Sequence, residues 1–380
     1  MGIEDSSSGH CHVIAGGGEV MSCAASSSSS QSSSSSTVST TLALLRSDDP
    51  NLRVQAAREI RWLTKTSQRY RLHFSGAVEP LVEMLSFCSA DANEAALAAL
   101  LNLAVKDETN KINIIQSGAL TPIIAFLQSE NATLQEHAVA ALITLSASPV
   151  NKPIISASNA IPHLVNILRF AGSQAKLDAV LALYNLSTHR ENITIILKAD
   201  PIPPLVNLLK SCKKSSQTAE KCTALIESLV AFDEGRTIIT SIEGGILAVV
   251  EVLEGGSLHS REHAVGALLT MCQSDRERYR EPILGEGVVP GLLELTVQGT
   301  VKGRTKARTL LKLLRESPYP RSEARPDTLE NIVCDIMSRI DDDGEDQTGK
   351  AKRMLSEMVQ VSMEQSLRHL QERASGLYTD

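Results

Sequence analysis

Aromatic residues are scarce in this chain of 380 residues. Five Phe, five Tyr and one Trp make up only 3% of the sequence, although 42% of it is hydrophobic. Rings supply much of the buried area in globular α/β cores. The composition therefore disfavours the two or three such domains that the length would suggest. A core of Leu, Ile, Val and Ala indicates stacked helices instead.

Other scarcities narrow the class of protein. The seven Cys are scattered and never fall in a C-x-x-C spacing, a pattern typical of reduced thiols in a cytoplasmic or nuclear protein. No run approaches 18 apolar residues and no secretory signal is present, so we expect no transmembrane span. The net charge of -7 argues against a nucleic-acid partner, which needs a basic face.

Catalytic motifs are also missing. The sequence has no phosphate-binding G-x-x-x-x-G-K-[ST], no G-x-S-x-G and no H-E-x-x-H. His137 and His263 occupy equivalent places in EHAVAAL and EHAVGAL, which repetition explains better than acid-base work. The triplet at 10–12, His-Cys-His, has no core to fix ligand geometry. We therefore expect that this protein is not an enzyme and that it binds no cofactor and no metal ion.

The N-terminal region combines an acylation pattern with a serine tract. MGIEDS matches the pattern for myristoylation of Gly2, yet one acyl chain holds a membrane only marginally. A lipid-anchored scaffold is therefore a minor alternative. Ten of the eleven residues at 26–36 are Ser, which predicts a disordered tail over 1–36 because nothing in it can be buried.

From Thr37 onward the sequence repeats itself. Asn110, Asn151 and Asn192 are 41 residues apart and each opens a short apolar turn, where we predict an N-cap. A second unit, such as GAVEPLVEML and GALTPIIAFL, occurs six times, usually after a Gly that permits a sharp reversal. A longer third unit, such as LQEHAVAALITL, occurs seven times. Each period of about 42 residues thus predicts three helices.

A three-helix period of this length, with the Gly-x-apolar-x-x-Leu-Val-x-Leu-Leu second helix, resembles armadillo repeats; the two-helix HEAT repeat is the near rival. The resemblance implies an all-α fold, a right-handed α-solenoid or armadillo superhelix of about six to seven three-helix repeats over 37–315. One such repeat cannot bury its apolar face alone, so the array is a single domain.

Beyond the repeats, the pattern changes. Residues 316–349 read as a Pro-rich and acidic connector with one amphipathic helix, and the run DDDGED at 341–346 as a solvated acidic turn. Residues 350–380 predict a C-terminal helix with a Met-rich apolar stripe. This helix is either a cap over the end of the solenoid or an adaptable binding face.

A curved solenoid offers a concave groove lined by its third helices. Aligning the repeats gives one groove-facing position per helix, the first groove row: Trp62, Asn102, Thr144, Asn185, Ser228 and Thr270. A second groove row lies one or two turns earlier: Arg58, His137, Asp178, Lys221, His263 and Lys306. The amides of Asn102 and Asn185 suit a peptide backbone, although ordinary solvated helix polarity is the simpler alternative.

The groove row separates armadillo subfamilies. Nuclear import adaptors place a Trp one turn before each groove Asn, whereas Ala98 and Leu181 stand there in this chain. Catenin-type grooves are strongly basic, whereas this chain is basic only near Lys302, Arg304 and Arg308. An acidic or phosphorylated segment would dock at that end.

TLENIVCDIM and MVQVSMEQSLRHLQ, near the C-terminus, resemble the tail of armadillo-only relatives of plant U-box proteins. U-box relatives are ubiquitin ligases, but only a low-complexity tail precedes the repeats, so the resemblance implies recognition without ligase activity. We expect a non-catalytic, monomeric scaffold or adaptor in the cytoplasm or nucleus. It would bind a protein partner in plant signalling or ubiquitin-linked regulation. The alternative is the substrate-recognition component of a ubiquitin ligase.

Overall fold

A computed structural model describes residues 29–87 and 89–315, with side chains from residue 36 onward. Within these ranges the chain forms twenty α-helices and a 3₁₀ turn, Ser75–Ala77, and no strand. The Gly2 acylation pattern, the connector and the C-terminal helix all lie outside the described residues.

The helices fall into three rows that recur along the chain. The first helices of the repeats are α3 (Gln68–His73), α6 (Glu108–Gln116), α9 (Asn151–Ala157), α12 (Asn192–Lys198), α15 (Asp233–Ser241) and α18 (Arg276–Gly285). The second helices are α4 (Val78–Met84), α7 (Leu120–Phe126), α10 (Ala160–Phe170), α13 (Ile202–Ser211), α16 (Gly245–Gly255) and α19 (Val289–Gln298). The third helices are α5 (Ala90–Ala104), α8 (Ala132–Ser146), α11 (Ser173–Ser187), α14 (Gln217–Leu229), α17 (Leu258–Ser274) and α20 (Val301–Arg315).

Two helices, α1 (Ser29–Leu45) and α2 (Pro50–Thr64), precede the six complete repeats, and α2 is an additional third helix. Each third helix packs on the next, from α2 to α20. The predicted all-α solenoid of three-helix repeats is thus confirmed.

Aliphatic side chains form one continuous core from Val38 to Leu314. Small residues let the third helices approach closely, as in α5, where Ala96 and Ala99 are fully buried. Few large rings are needed, and the principal buried ones are Phe74 and Tyr279. The scarcity of aromatic residues therefore follows from helix-on-helix packing.

The reversals between first and second helices match the prediction. Gly118, Gly244 and Gly287 have positive φ, of 89°, 65° and 75°, and Asn159 and Asp200 adopt the same left-handed geometry in the other two repeats. Only residues that tolerate this region fit there. The first repeat differs, since its 3₁₀ turn makes the reversal instead.

The predicted N-cap role of the repeated asparagines is wrong. Asp107 caps α6, since its Oδ1 accepts from the Asn110 backbone N–H at 2.9 Å, and Asn110 lies within the helix. Asn151 and Asn192 are the first residues of α9 and α12, whose caps make no side-chain hydrogen bond. A side-chain amide can donate as well as accept, and donation is what these residues do.

All three asparagine side chains are buried. Each Nδ2 donates to a carbonyl near the end of the preceding third helix and to one in the preceding first helix. The donations are Asn110 to Leu103 (3.1 Å) and Arg71 (3.4 Å), Asn151 to Leu145 (3.2 Å) and Lys111 (3.0 Å), and Asn192 to Leu186 (3.1 Å) and Lys152 (3.3 Å). This asparagine ladder ties each repeat to its predecessor.

The last residues of the predicted N-terminal tail differ from the prediction. α1 begins at Ser29, so residues 29–36 are helical rather than disordered. Val38 and Leu45 anchor the helix in the core. Once the part of α1 between Val38 and Leu45 has formed, each preceding serine adds a helical hydrogen bond without a new nucleation cost.

Candidate functional site

Trp62 is the most exposed member of the first groove row. It lies near the end of α2, and 75% of its surface is accessible. Arg61 beside it is exposed, and so is Arg58 one turn earlier, which pairs with Asp91 of the neighbouring helix α5. An exposed ion pair of this kind contributes about 0–1 kcal/mol. This end of the groove therefore combines a large apolar ring with cations.

The groove amides are partly engaged within the protein. Nδ2 of Asn102 donates to the Arg61 carbonyl at 2.8 Å. Nδ2 of Asn185 donates to the Ile143 carbonyl at 3.0 Å and to Ser146 Oγ at 3.3 Å. A two-sided grip on a peptide backbone needs both the N–H and the oxygen of the amide. Asn102 keeps one N–H for that purpose, whereas Asn185 would have to give up a bond to the preceding repeat.

The hydroxyls of the first groove row bond locally. Thr144 donates to the Ala140 carbonyl at 3.0 Å, Ser228 to Ala224 at 3.2 Å and Thr270 to Gly266 at 2.9 Å. Each bond runs one turn back along the same helix, a common arrangement for hydroxyls inside helices. These three residues shape the floor of the groove, and their oxygens remain acceptors.

The middle of the groove is acidic. Asp178 on α11 is half-buried, and burial raises its pKa, with the Glu136 carboxylate adding to the rise and a hydrogen bond from Gln174 opposing it. His137 is half-buried too; burial lowers its pKa most, while Glu94 and Glu136 oppose that shift. A cation brought by a partner would favour the charged form of Asp178 and so lower its pKa.

Toward the C-terminal end, the second groove row becomes basic. Lys221 on α14 pairs with Glu220 at 3.0 Å and places its Nζ 5.9 Å from the centre of the Tyr184 ring. Beyond it, one carboxylate joins the last two members of the row. Glu227 Oε2 lies 2.6 Å from His263 Nδ1, and Oε1 lies 2.7 Å from Lys306 Nζ.

This Glu227 bridge spans three helices, since its members belong to α14, α17 and α20. Packed helices lie about 8–10 Å apart, so side chains two helices apart meet only where the row curves inward. The contact therefore marks the third-helix face as concave. Among the described residues, no comparable bridge spans three helices between α2 and α11, and we term this stretch the open part of the groove.

Gly266 makes room for the bridge. A Cβ at this position would lie 1.8 Å from Glu227 Oε1 and 2.6 Å from Lys306 Nζ. Burial alone would raise the pKa of Glu227, but the hydrogen bonds from His263 and Lys306 outweigh it and hold the pKa below its ordinary value. The carboxylate is thus charged and paired. Sequence reasoning missed both Glu227 and Gly266, although Gly266 stands where the related EHAVAAL segment has Ala140.

The bridge predicts a reversal in the effect of Gly266→Ala. In a helix interior this change normally stabilises by about 0.5–1 kcal/mol. Here the new methyl group displaces the Glu227 carboxylate, so we expect the gain only when Glu227→Ala is also present. Urea unfolding of the two single variants and the double variant measures this coupling. Equal stabilisation in both backgrounds would contradict it.

The same bridge has a defined pH dependence. The pKa of Glu227 in the folded state is lowered. The stabilisation that its carboxylate provides is therefore fully present above the ordinary pKa of 4.5 and is lost as the pH falls through the lowered pKa. The stability difference between the protein and Glu227→Gln should therefore shrink below pH about 4.5.

Phe170, which sequence reasoning also missed, is the most exposed aromatic residue described, at 84%. It ends α10 and separates two open clefts of about 410 and 310 Å³. Its equivalents in the adjacent repeats are Ser129 and Ser211. The sequence could therefore have pointed to Phe170 as a ring at a position where the neighbouring repeats have a hydroxyl. Phe170 lies on a second helix, away from the groove rows.

Within the described ranges, no group of three or more His, Cys, Asp or Glu side chains could hold a metal ion. Cys222 and Cys272 are buried, and burial raises the pKa of both thiols, that of Cys272 to about 11. Thiols of this kind are poor nucleophiles. No helix in the described part of the chain is long and apolar enough to cross a membrane.

Comparison with known proteins agrees with this geometry. The crystal structure of an engineered protein aligns with a TM-score of 0.63 at 18% identity, over 86% of this chain and 88% of the other. U-box domain-containing protein 45 of Arabidopsis thaliana is 34% identical over 97 residues, 26% of this chain and 12% of the relative. U-box domain-containing protein 25 of the same plant is 37% identical over 100 residues, 26% of this chain and 23% of the relative.

The chain therefore matches less than a quarter of the length of either relative. The family model described as the plant U-box protein ARM repeat region matches residues 105–324, more than half of the chain. These limits enclose five of the six complete repeats, from α6 onward, with the three ladder asparagines and the Glu227 bridge. This chain belongs to the plant U-box protein ARM repeat family.

Proposed function

We propose that this protein is a non-catalytic adaptor that holds an extended segment of a protein partner in the open part of its groove, from α2 to α11. The observation that carries the proposal is Trp62, an indole left 75% exposed in the groove row. Tryptophan is enriched among the residues that dominate binding energy at interfaces. Exposing it to water has no stabilising role in the fold.

The charges along the groove suggest what the partner segment looks like. Arg58 and Arg61 flank Trp62, whereas Glu136 and Asp178 lie two and three helices further on. Three helix spacings amount to roughly 24–30 Å, which an extended chain covers in about seven to nine residues. A fitting segment has an apolar and acidic end at α2 and a basic residue about eight positions away.

Replacing Trp62 tests the groove directly. We expect Trp62→Ala to lower affinity for a groove partner by about tenfold or more, without unfolding the chain, because the ring is exposed. Phe170→Ala is the matched control, since it removes an equally exposed ring from outside the groove. Proteins captured by the full chain from its own tissue would be compared among the three forms and titrated by calorimetry.

The expected result is a set of proteins lost with Trp62→Ala and retained with Phe170→Ala. Equal retention by both variants would reject the groove as the binding surface. Trp62 is a cleaner probe than Asn102 and Asn185, because the latter amides also bond the preceding repeat.

A second candidate is the substrate-recognition component of a ubiquitin ligase. It is favoured by the U-box relatives, with which this chain shares only repeat sequence. We expect the purified chain to form no ubiquitin chains with activating and conjugating enzymes alone. If it recognises substrates, ubiquitination of a captured partner should require both a separate ligase subunit and Trp62. We further propose that the protein is monomeric, resides in the cytoplasm or nucleus and acts in signalling.

A further inference from the structure

The last described helix, α20, carries charged side chains at positions where earlier third helices contact the following repeat. Inside the array, a cation on a third helix twice pairs with a glutamate on the second helix of the following repeat. Arg53 on α2 pairs with Glu83 on α4 at 3.2 Å, and Arg261 on α17 pairs with Glu294 on α19 at 2.9 Å. The next equivalent cation is Arg304 on α20, and no following repeat within the described residues supplies its glutamate.

Two other positions on α20 carry an exposed arginine where the earlier third helices have a buried residue. Arg308 is exposed, yet its six equivalents in the earlier third helices are all buried: Ala57, Leu97, Val139, Val180, Thr223 and Val265. Arg315 is exposed where Val230 and Cys272 are buried. In the interior of the array, these positions pack against the next third helix. At the end of the array they carry positive charge instead.

These cations form one stripe. Arg304, Arg308, Lys312 and Arg315 follow the i, i+4, i+8, i+11 spacing that places side chains on one helix face. α20 carries six basic residues, and its sequence has no acidic one. Lys306 is paired with Glu227, but no ion pair joins the four stripe cations to residues 29–87 or 89–315. Like charges at this spacing repel, so the stripe favours an anionic cover.

We propose that the acidic run 341–346 of the same chain docks on this basic stripe and covers the exposed face of α20. The run DDDGED has five carboxylates in six residues, and no basic residue falls between 340 and 349. Charge complementarity thus selects it over the Met-rich C-terminal helix, whose stripe is apolar. The solvated acidic turn expected from sequence becomes a contact.

The connection is long enough for this contact. Twenty-five residues separate Arg315 from Asp341, which can span roughly 80 Å when extended, whereas α20 is only about 22 Å long. A tether of this kind gives a local concentration in the millimolar range, enough for a weak ionic contact to form within one chain. A charged end of this sort also keeps solenoid ends from stacking on one another.

Zero-length carbodiimide cross-linking of the full chain tests the contact. We expect Lys312 to join carboxylates of 341–346. In a mixture of isotopically light and heavy protein, the cross-linked peptides should carry matching labels. The triple variant Arg304→Glu, Arg308→Glu and Arg315→Glu keeps Lys312 and should lower this yield about fivefold or more, since the attraction becomes repulsion. The triple variant Lys65→Glu, Lys198→Glu and Lys213→Glu makes the same charge change at exposed sites elsewhere and should leave the yield unchanged.

A second variant leaves α20 intact. Replacing the five acids with Asn or Gln should raise the acetylation rate of Lys312 about twofold or more, while the rate of Lys198 stays constant. An unchanged Lys312 rate, or an equal cross-link yield in both triple variants, would overturn the proposal. So would cross-links that carry mixed labels, which would assign the run to a second copy, or cross-links from Lys312 to other acids only.

Discussion

Leu186→Ala is expected to lower the free energy of unfolding by about 2–5 kcal/mol, because it leaves a cavity in a core that cannot collapse around it. Leu186 lies near the end of α11 and is fully buried. Its carbonyl also accepts from Asn192, so the residue sits where two repeats are joined. The matched control is Leu72→Ala: that leucine is 60% exposed, and its removal should change stability by less than about 0.5 kcal/mol.

The effect of Leu186→Ala should be local as well as large. In a solenoid each repeat contacts only its neighbours, so loosening begins at the damaged junction. Hydrogen exchange should quicken in α8, α11 and α14 and change little in α2 and α20. Urea unfolding gives the magnitude, and exchange gives the location. A uniform loss of protection along the whole array, or none, would contradict this account.

The repeat architecture could be predicted from sequence because weak signals were summed over six or seven copies. A single segment such as GALTPIIAFL is an ambiguous apolar run, but its recurrence about every 42 residues fixes the period, the three helices and the reversals between them. The exposure of Trp62 could be predicted for the same reason, since alignment placed it in a row of polar side chains. Repetition thus carries information about which face is exposed.

Contacts between distant residues could not be predicted in this way. The Glu227 bridge joins side chains 79 residues apart, and each ladder asparagine bonds a first-helix carbonyl about 40 residues earlier. Local sequence shows only that an asparagine opens a helix, which suits an N-cap equally well. Whether an amide is buried or faces solvent depends on the neighbouring repeat. The engagement of Asn102 and Asn185 escaped the sequence reading for the same reason.

The ladder makes Asn151→Asp the more revealing of the two large predictions. The change keeps the shape of the side chain but replaces a donor with a carboxylate, facing the Lys111 and Leu145 carbonyl oxygens that now lie 3.0 and 3.2 Å from Nδ2. The site is almost fully buried, so the charge would be neither solvated nor paired. The N-terminus of α9 offsets only about 0.3–1 kcal/mol of this cost.

Proton uptake limits the damage from Asn151→Asp. An aspartate normally titrates near pH 3.9, and each pH unit above that adds about 1.4 kcal/mol to the cost of keeping it neutral. We therefore expect a loss of about 4 kcal/mol at pH 7. Because the folded state binds the extra proton, the pKa in the folded state is raised and stability falls as pH rises. The deficit relative to the unchanged protein should shrink by about 1.4 kcal/mol per pH unit on lowering the pH from 7 toward 4.

Urea unfolding at several pH values separates this effect from a simple loss of a hydrogen bond. Asn207→Asp is the matched control, because Asn207 is exposed on α13 and should show neither the loss at pH 7 nor its relief by acid. Asn151→Ala, which removes the donor without adding charge, should cost about 1–3 kcal/mol with no pH dependence. If Asn151→Asp behaved like Asn151→Ala at every pH, the side chain would have to reach water, and the ladder would be a surface feature rather than the buried tie between repeats.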